Sequence, residues 1–226
     1  MIVAIHQPQY LPWLGYFDKI NQTDVFVILD NVQYKKNEWQ NRNRIKTANG
    51  WQWLTVPVQY KFLERIDQVK INNRIDWNRK HLNAIVINYG RSLYFNKYRS
   101  LFEGVYSQEW EYLVDINVYL INFLIKALGI NTETLMASKL RLREDPTDRL
   151  IDICKEVGAD TYLAGKDGRK YMDVEKFKEE NIKVIFQDFQ HPIYNQLFAN
   201  FESQMSVIDL LFNCGENSLK ILRGDK

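Results

Sequence analysis

The spacing of apolar residues changes several times along the chain, and each change predicts an element. Residues 2–5 are a short continuous apolar run, and the two prolines of the following HQPQYLP break that strand into a turn. Pro12 suits a first helical turn, and Leu14, Phe17 and Ile20 then recur at helical spacing through Gln22. Residues 25–29 are again continuously apolar between Asp24 and Asp30. Strand, turn, helix and strand in that order predict a parallel pair, because parallel strands need a crossover, with Asp30 at the carboxyl edge where open α/β sheets bind ligands.

The next apolar pattern is different. Trp51, Trp53, Leu54 and Val56 follow an Asn-Gly turn, which predicts a hairpin pairing residues 44–46 with 51–58 and closed by Pro57. Residues 76–128 carry three helical patterns, the last marked by Leu113, Ile116, Leu120, Phe123, Leu124 and Ala127 and stopped by Gly129, and they read as a helical insert or cap. The α/β pattern resumes with strands at 134–137, 161–163 and 184–186. Helices are expected after the Asp-Pro-Thr-Asp cap at 145–148, near 174–180 and at 205–212. The expected fold class is therefore α/β: a parallel-sheet core of nucleotide-binding type, with an added hairpin and a helical insert, in one domain spanning 1–226.

Composition narrows the function classes. With 46% hydrophobic and 26% charged residues in 226, whole-chain disorder or coiled coil does not fit, and a sizeable core does. The net charge of +2 gives no reason to expect a nucleic-acid binder or a generic membrane-surface binder. The start does not read as a secretory signal, and no apolar run approaches the length of a membrane span, so a cytoplasmic protein is expected. Cys154 and Cys214 lie far apart in apolar helical contexts and are read as buried thiols, with no metal site expected.

Charge is concentrated locally. Residues 31–46, NVQYKKNEWQNRNRIK, hold five basic residues against one acid. In an extended stretch Arg42 and Arg44 share a face, and two planar forks on one side suit a dianion or diphosphate. Asp30, Gln33, Lys35, Lys36, Asn41 and Asn43 belong to the same constellation, and Trp39 and Tyr34 offer stacking surfaces. A solvated basic loop is the plainer alternative.

A second constellation sits on the turn leaving the first strand: His6, Gln7, Gln9 and Tyr10, with Gly15, Tyr16, Asp18 and Lys19 in the helix that follows. A strand-to-helix turn aims backbone N–H groups and a positive helix end at an anion, and His6 either joins that site as an acid, base or hydrogen-bond partner or merely ties the turn to the sheet. The third is GKDGRKY at 165–171, where glycines permit close approach and Lys166 and Arg169 would grip a phosphate, unless it is a plain turn. The chain has no Walker A, GxGxxG or Gly-x-Ser-x-Gly pattern, so those nucleotide modes and a serine nucleophile are not supported. His81 and His191 are read as structural or exposed.

The runs IHQPQYLPWLGYFDKI, ILDNVQYKKNEWQNRNRIK and GADTYLAGKDGRKY together resemble the WbqC-like family of bacterial proteins, nearly end to end. The resemblance implies a role in O-antigen and other surface polysaccharide assembly, with glycyl or aminoacyl transfer onto a sugar suggested for the family. The shared polar positions correspond here to His6, Gln7, Tyr10, Tyr16, Asp30, Gln33, Lys36, Trp39, Asn41, Arg42, Asn43 and Arg44, and in the late loop to Gly168 and Tyr171. A fainter similarity of layout points to nucleotidyltransferases of the HxGH type, although HQPQY lacks the second histidine.

These readings converge on a transferase that attaches an acyl or aminoacyl group to a nucleotide-linked amino sugar, with ATP or an activated acyl donor as the co-substrate to expect. Arg42, Arg44 and Lys36 would clamp phosphate, Trp39 and Tyr10 would wall the sugar or base, and His6 or Asp30 would take a proton. Gln7, Tyr16, Gln33, Asn41, Asn43, Gly168, Arg169 and Tyr171 complete the expected binding set. The alternatives are a nucleotidyltransferase or adenylate-forming enzyme using ATP, and a non-enzymatic binding partner in a polysaccharide assembly complex.

Overall fold

The structure is a computed structural model and describes residues 1–170 and 172–225. In chain order the elements are β1 (Ile2–His6), α1 (Leu14–Asn21), β2 (Val25–Ile28), β3 (Arg42–Thr47), β4 (Gly50–Thr55), β5 (Val58–Gln59) and β6 (Lys70–Ile71). Then come α2 (Trp77–Tyr89), α3 (Phe95–Ser107), α4 (Leu113–Leu128), β7 (Glu133–Met136), α5 (Pro146–Glu156) and β8 (Thr161–Ala164). The chain closes with α6 (Val174–Glu179), β9 (Lys183–Phe186), α7 (Val207–Cys214) and α8 (Ser218–Arg223).

The α/β expectation holds. Five strands form a parallel sheet in the order β7-β2-β1-β8-β9. Alternation along β1 and β2 explains why their sequences are apolar throughout: Ala4, Phe26 and Ile28 face one core, while Val3, Ile5, Val25 and Val27 face the other. The second core is closed by α5 and α6 through Leu150, Ile151, Ile153, Cys154 and Phe177. The first continues from the sheet through α1, α2, α3, α4 and α7. The three helices expected within 76–128 are thus built into the same apolar core as the sheet, through residues such as Ile85, Phe102 and Leu120.

The expected hairpin forms, with residues 44–46 opposite 51–53, and its turn lies one residue before the Asn-Gly pair. Arg42–Thr47 pairs with Gly50–Thr55 around a two-residue Ala48-Asn49 turn, with Gly50 at φ +103°. Val56 leaves the ladder to donate its N–H to the Asn41 carbonyl, and Val58–Gln59 pairs instead with Lys70–Ile71. Helix α7 starts at Val207 because the Ser206 side chain caps it, and α8 was not expected from the pattern. Among the described residues no helix is long and apolar enough to cross a membrane, and no three His, Cys, Asp or Glu side chains converge as a metal-binding group.

The order in which strands are added reverses between β1 and β8. β2 and β7 are laid on one side of β1, and β8 and β9 on the other, so the loops leaving the carboxyl ends of β1 and β8 diverge and open a crevice. His6 ends β1 at that crevice, and the 165–170 segment follows β8 into it.

Candidate functional site

A cavity of about 460 Å³ opens at this switch point, lined by His6, Gln7, Gln9, Trp13, Lys35, Glu38, Trp39, Gln40, Asp167 and Gln204. Its neighbour, about 390 Å³, is lined by Asn37, Glu38, Trp39, Arg42, Arg44, Trp53 and Gln204. Glu38, Trp39 and Gln204 wall both, so the two form one depression divided by an indole and two polar side chains.

The first compartment is assembled by local hydrogen bonds. His6 Nδ1 donates to the Gln7 carbonyl at 3.1 Å, which leaves Nε2 with its lone pair. Burial, reinforced by the positive charge of Lys19, drives the imidazole down to about 3, so it is neutral at physiological pH. Lys19 is itself buried, donates to the Ile5 carbonyl at 3.1 Å, and is pushed down to about 7 by burial. Gln40 donates to Gln7 Oε1 at 2.6 Å and accepts from the Lys35 N–H at 2.9 Å, and Tyr10 N–H bonds the Trp39 carbonyl at 3.1 Å. These bonds fasten the 35–40 loop against the turn after β1 and set Trp39 over the crevice.

Helix α1 does not present open backbone to an anion. Trp13 lies over Gly15, where an added Cβ would sit 2.3 Å from the ring, and it is this indole that lines the cavity. The turn is held by a strained point, Leu11 at φ +44°, whose carbonyl accepts from Asn43 Nδ2 at 2.6 Å.

The second compartment is an arginine–tryptophan ladder on the outer face of the hairpin. Arg42 stacks over Trp53 at 4.4 Å, and Arg44 lies 4.9 Å from Trp51 and 5.9 Å from both Trp39 and Trp53. Arg42 donates to the Asn37 carbonyl and Arg44 to the Gln204 carbonyl and Oε1, while both Nε atoms are buried without a partner. Among the described residues neither guanidinium pairs with a carboxylate. Two cations without a carboxylate partner, held on indole faces, set positive charge beside an aromatic platform, an arrangement able to meet an anion. The same-face expectation for Arg42 and Arg44 is therefore met.

The segment that covers the hairpin, residues 187–204, is anchored by a buried carboxylate. Asp209 accepts from Tyr89 at 2.9 Å, Tyr194 at 2.8 Å and Gln196 at 2.7 Å. Gln196 Oε1 in turn accepts from Lys46 Nζ at 3.1 Å and from the Glu202 N–H at 2.9 Å. His191 Nε2 accepts from the Gln204 N–H at 3.0 Å, fixing the residue that reaches both compartments.

Several expected site residues are placed elsewhere. Tyr10 is wholly buried, with its hydroxyl 2.8 Å from His81 Nδ1 and 2.5 Å from the Tyr106 hydroxyl, so it is core and walls no ligand. Asp30 is buried, lines neither cavity, and accepts from the Ser138 N–H at 2.9 Å, which joins β2 to the segment after β7. Asn43 and Asn41 are buried and donate to the Leu11 and Val56 carbonyls, holding the loop rather than a ligand. Tyr16 is buried beneath His6, 4.9 Å from its ring, and donates to the Gln7 carbonyl at 3.3 Å, so it positions the turn.

Gln33 is exposed and bridges to Arg65, and Lys36 is exposed and lines neither cavity, whereas Lys35 lines the first. Gly168 is needed for packing, with Ala164 and Met172 each 3.2 Å from where its Cβ would stand, and Arg169 stacks on Phe186 at 4.3 Å instead of gripping a phosphate. The late loop offers the cavity the Asp167 carboxylate. Tyr171 lies outside the described residues. The structure thus brings together His6, Gln7, Gln9, Lys35, Trp39, Arg42 and Arg44, and adds Trp13, Glu38, Gln40, Asp167 and Gln204. Of the additions, Glu38 and Gln40 stand within the basic segment, whereas Gln204 carries no local signal.

Comparison with known proteins gives the relationship. A sequence model described as the WbqC-like protein family matches residues 7–221, and the chain belongs to that family. An uncharacterized protein, Rv1507c of Mycobacterium tuberculosis (strain ATCC 25618 / H37Rv), is 38% identical over 225 residues, covering 98% of this chain and 97% of that protein. No solved structure matches.

Proposed function

We propose that this WbqC-like protein is a cytoplasmic transferase that acylates an amino sugar carried on a nucleoside diphosphate, for bacterial surface polysaccharide assembly. The observation that carries the reading is the divided depression. Unpaired Arg42 and Arg44 stand on a tryptophan platform on one side of Trp39, and a neutral histidine and side-chain amides stand between two indoles on the other. The diphosphate lies along the two guanidiniums with the base against the tryptophans, and the sugar enters the switch-point cavity.

The amine nitrogen attacks the carbonyl carbon of the activated acyl donor and the new C–N bond forms. The leaving group departs with the electron pair of the bond that breaks. The nitrogen proton passes to His6 Nε2, whose lone pair is free because Nδ1 is committed to Gln7. The N-protonated amide is a strong acid, so an imidazole of low basicity suffices to take that proton. Orientation by Trp39 and the arginines supplies much of the acceleration.

The test is thermal shift and calorimetry with UDP-, GDP- and dTDP-linked amino sugars, ATP and acyl-CoA on wild type and Arg42→Ala/Arg44→Ala. A nucleotide-sugar present at 100 times its Kd stabilises the folded state by about 2.7 kcal/mol. That gain is expected in wild type and lost in the double variant, with acyl transfer to the amine lost alongside it. Stabilisation by ATP alone moves the assignment to an adenylate-forming enzyme, and silence across the panel moves it to a binding partner.

A further inference from the structure

Gln9 is 7% exposed and lines the switch-point cavity, yet its side-chain amide forms no hydrogen bond with any described residue, and its Oε1 is completely shielded. The neighbouring buried amides each make at least one hydrogen bond, Asn43 with Leu11, Asn41 with Val56, Asn117 with the Gln40 carbonyl, and Gln40 with both Gln7 and Lys35; the Asn41 and Asn117 oxygens are also without a partner, but neither residue lines the cavity. A desolvated amide left unpaired is destabilising, a cost that a methionine of similar volume would avoid. Its backbone is held between buried Pro8 and Tyr10, the latter pinned to the Trp39 carbonyl. The amide is therefore presented by a firm support and satisfied by nothing in the protein.

What would satisfy it follows from its chemistry. A primary amide sets one acceptor beside two donors in a plane, so its full complement is a ligand edge carrying adjacent groups that both donate and accept. A phosphate only accepts, and its charge is answered on the far side of Trp39 by Arg42 and Arg44. Neighbouring hydroxyl and amino substituents on a pyranose ring match the amide, while the ring faces meet Trp13 and Trp39 and the remaining hydroxyls reach His6 Nε2, Gln7 and Asp167. We propose that Gln9 is the specificity residue of the sugar subsite, pairing its amide with an adjacent hydroxyl and amino group on the pyranose edge. The amino sugar and its nucleotide both rest on the function proposed above; that Gln9 meets the ligand of this cavity does not.

Gln9→Met tests it. Without ligand the variant is expected to unfold at the wild-type temperature or above, since no protein hydrogen bond is removed. By calorimetry, wild type binds UDP-glucosamine at least tenfold more tightly than UDP, whereas Gln9→Met binds both equally and keeps the wild-type affinity for UDP. A lowered unfolding temperature without ligand assigns Gln9 to the fold and overturns the proposal, as does a sugar-dependent gain that survives in Gln9→Met. Should wild type bind neither UDP compound, the nucleotide reading fails by itself and methyl glucosaminide at high concentration decides for Gln9. A thermal shift present in wild type and absent in Gln9→Met supports the sugar subsite, and no shift in wild type overturns it.

Discussion

The aromatic core beneath the hairpin and the rim of the switch-point cavity are built from the same kinds of residue in the same stretch of chain, and they use them in opposite ways. In the core, His81 is engaged on both sides, by the Tyr10 hydroxyl and by the backbone at Thr55, and Tyr106 completes the hydroxyl chain. At the rim, His6 is engaged on one side only, and Gln9 on neither. Burial does not separate the two groups, since Tyr10 and Gln9 are both inside. Unused hydrogen-bonding capacity beside a cavity does, since Asn41 and Asn117 also keep an unpartnered oxygen but line neither compartment.

The largest expected effect tests whether both imidazoles are as desolvated as this comparison requires. Burial lowers His81 to about 4 and, with Lys19, lowers His6 to about 3, against about 6.5 in the unfolded chain. Both bind fewer protons folded than unfolded below that value, so stability falls as pH drops from about 6.5 toward 4, with His191 acting in the same direction. At pH 5 the loss from His6 and His81 is about 4 kcal/mol relative to neutral pH. Urea unfolding at pH 7 and pH 5 reads the total, and NMR titration of the three histidines assigns it. A His6 ring that titrates near 6.5 in the folded protein would break the picture of a dry cavity edge.

A smaller effect is expected from the anchor of the covering segment. Asp209→Ala strips the acceptor from Tyr89, Tyr194 and Gln196 together and leaves Lys46 without its nearby carboxylate. About 3 kcal/mol is expected to be lost, at roughly 1 kcal/mol for each orphaned buried donor. Because Gln204 ends this segment, the variant should also weaken ligand binding at the arginine ladder, whereas a variant confined to the core beneath the hairpin should not. Equal binding losses from both would mean that the ladder depends on global rigidity rather than on the segment above it.

The sheet was legible because its signals are local. Continuous apolar runs bounded by Asp24 and Asp30 or by glycine turns mark strands buried on both faces, and period-two alternation placed Arg42 and Arg44 on one side of a strand before any partner was known. His6 bonds its immediate neighbour Gln7, but the contacts that fix other residues of the motif come from far along the chain. Tyr10 was misassigned because its partners lie 71 and 96 residues away, and Asp30 because Ser138 lies 108 residues on. Gln204 reaches Arg44 across 160 residues from a segment with no periodic pattern. The vacant capacity of Gln9 is a property of the assembled cavity, and a glutamine between Pro8 and Tyr10 carries no trace of it.

The smallest effect bears most directly on the difference between core and rim. Tyr10→Phe removes a hydroxyl shared between His81 and Tyr106, both buried, and leaves an imidazole nitrogen and a phenol facing an apolar ring. A loss of about 1.5 kcal/mol is expected, since each stranded partner keeps its desolvation cost. Tyr16→Phe removes only a 3.3 Å bond to the Gln7 carbonyl, which His6 Nδ1 also contacts, so the acceptor keeps a donor and the loss should stay below about 0.5 kcal/mol. Tyr16 nevertheless supports the His6 ring edge-on, so Tyr16→Phe should leave stability nearly intact, and Tyr10→Phe should leave ligand affinity nearly intact. Chemical denaturation and calorimetry on the pair measure both quantities. If Tyr10→Phe instead costs affinity as much as stability, Tyr10 acts on the cavity through its own backbone bond to Trp39, and the boundary between core and rim must be drawn through that residue rather than beside it.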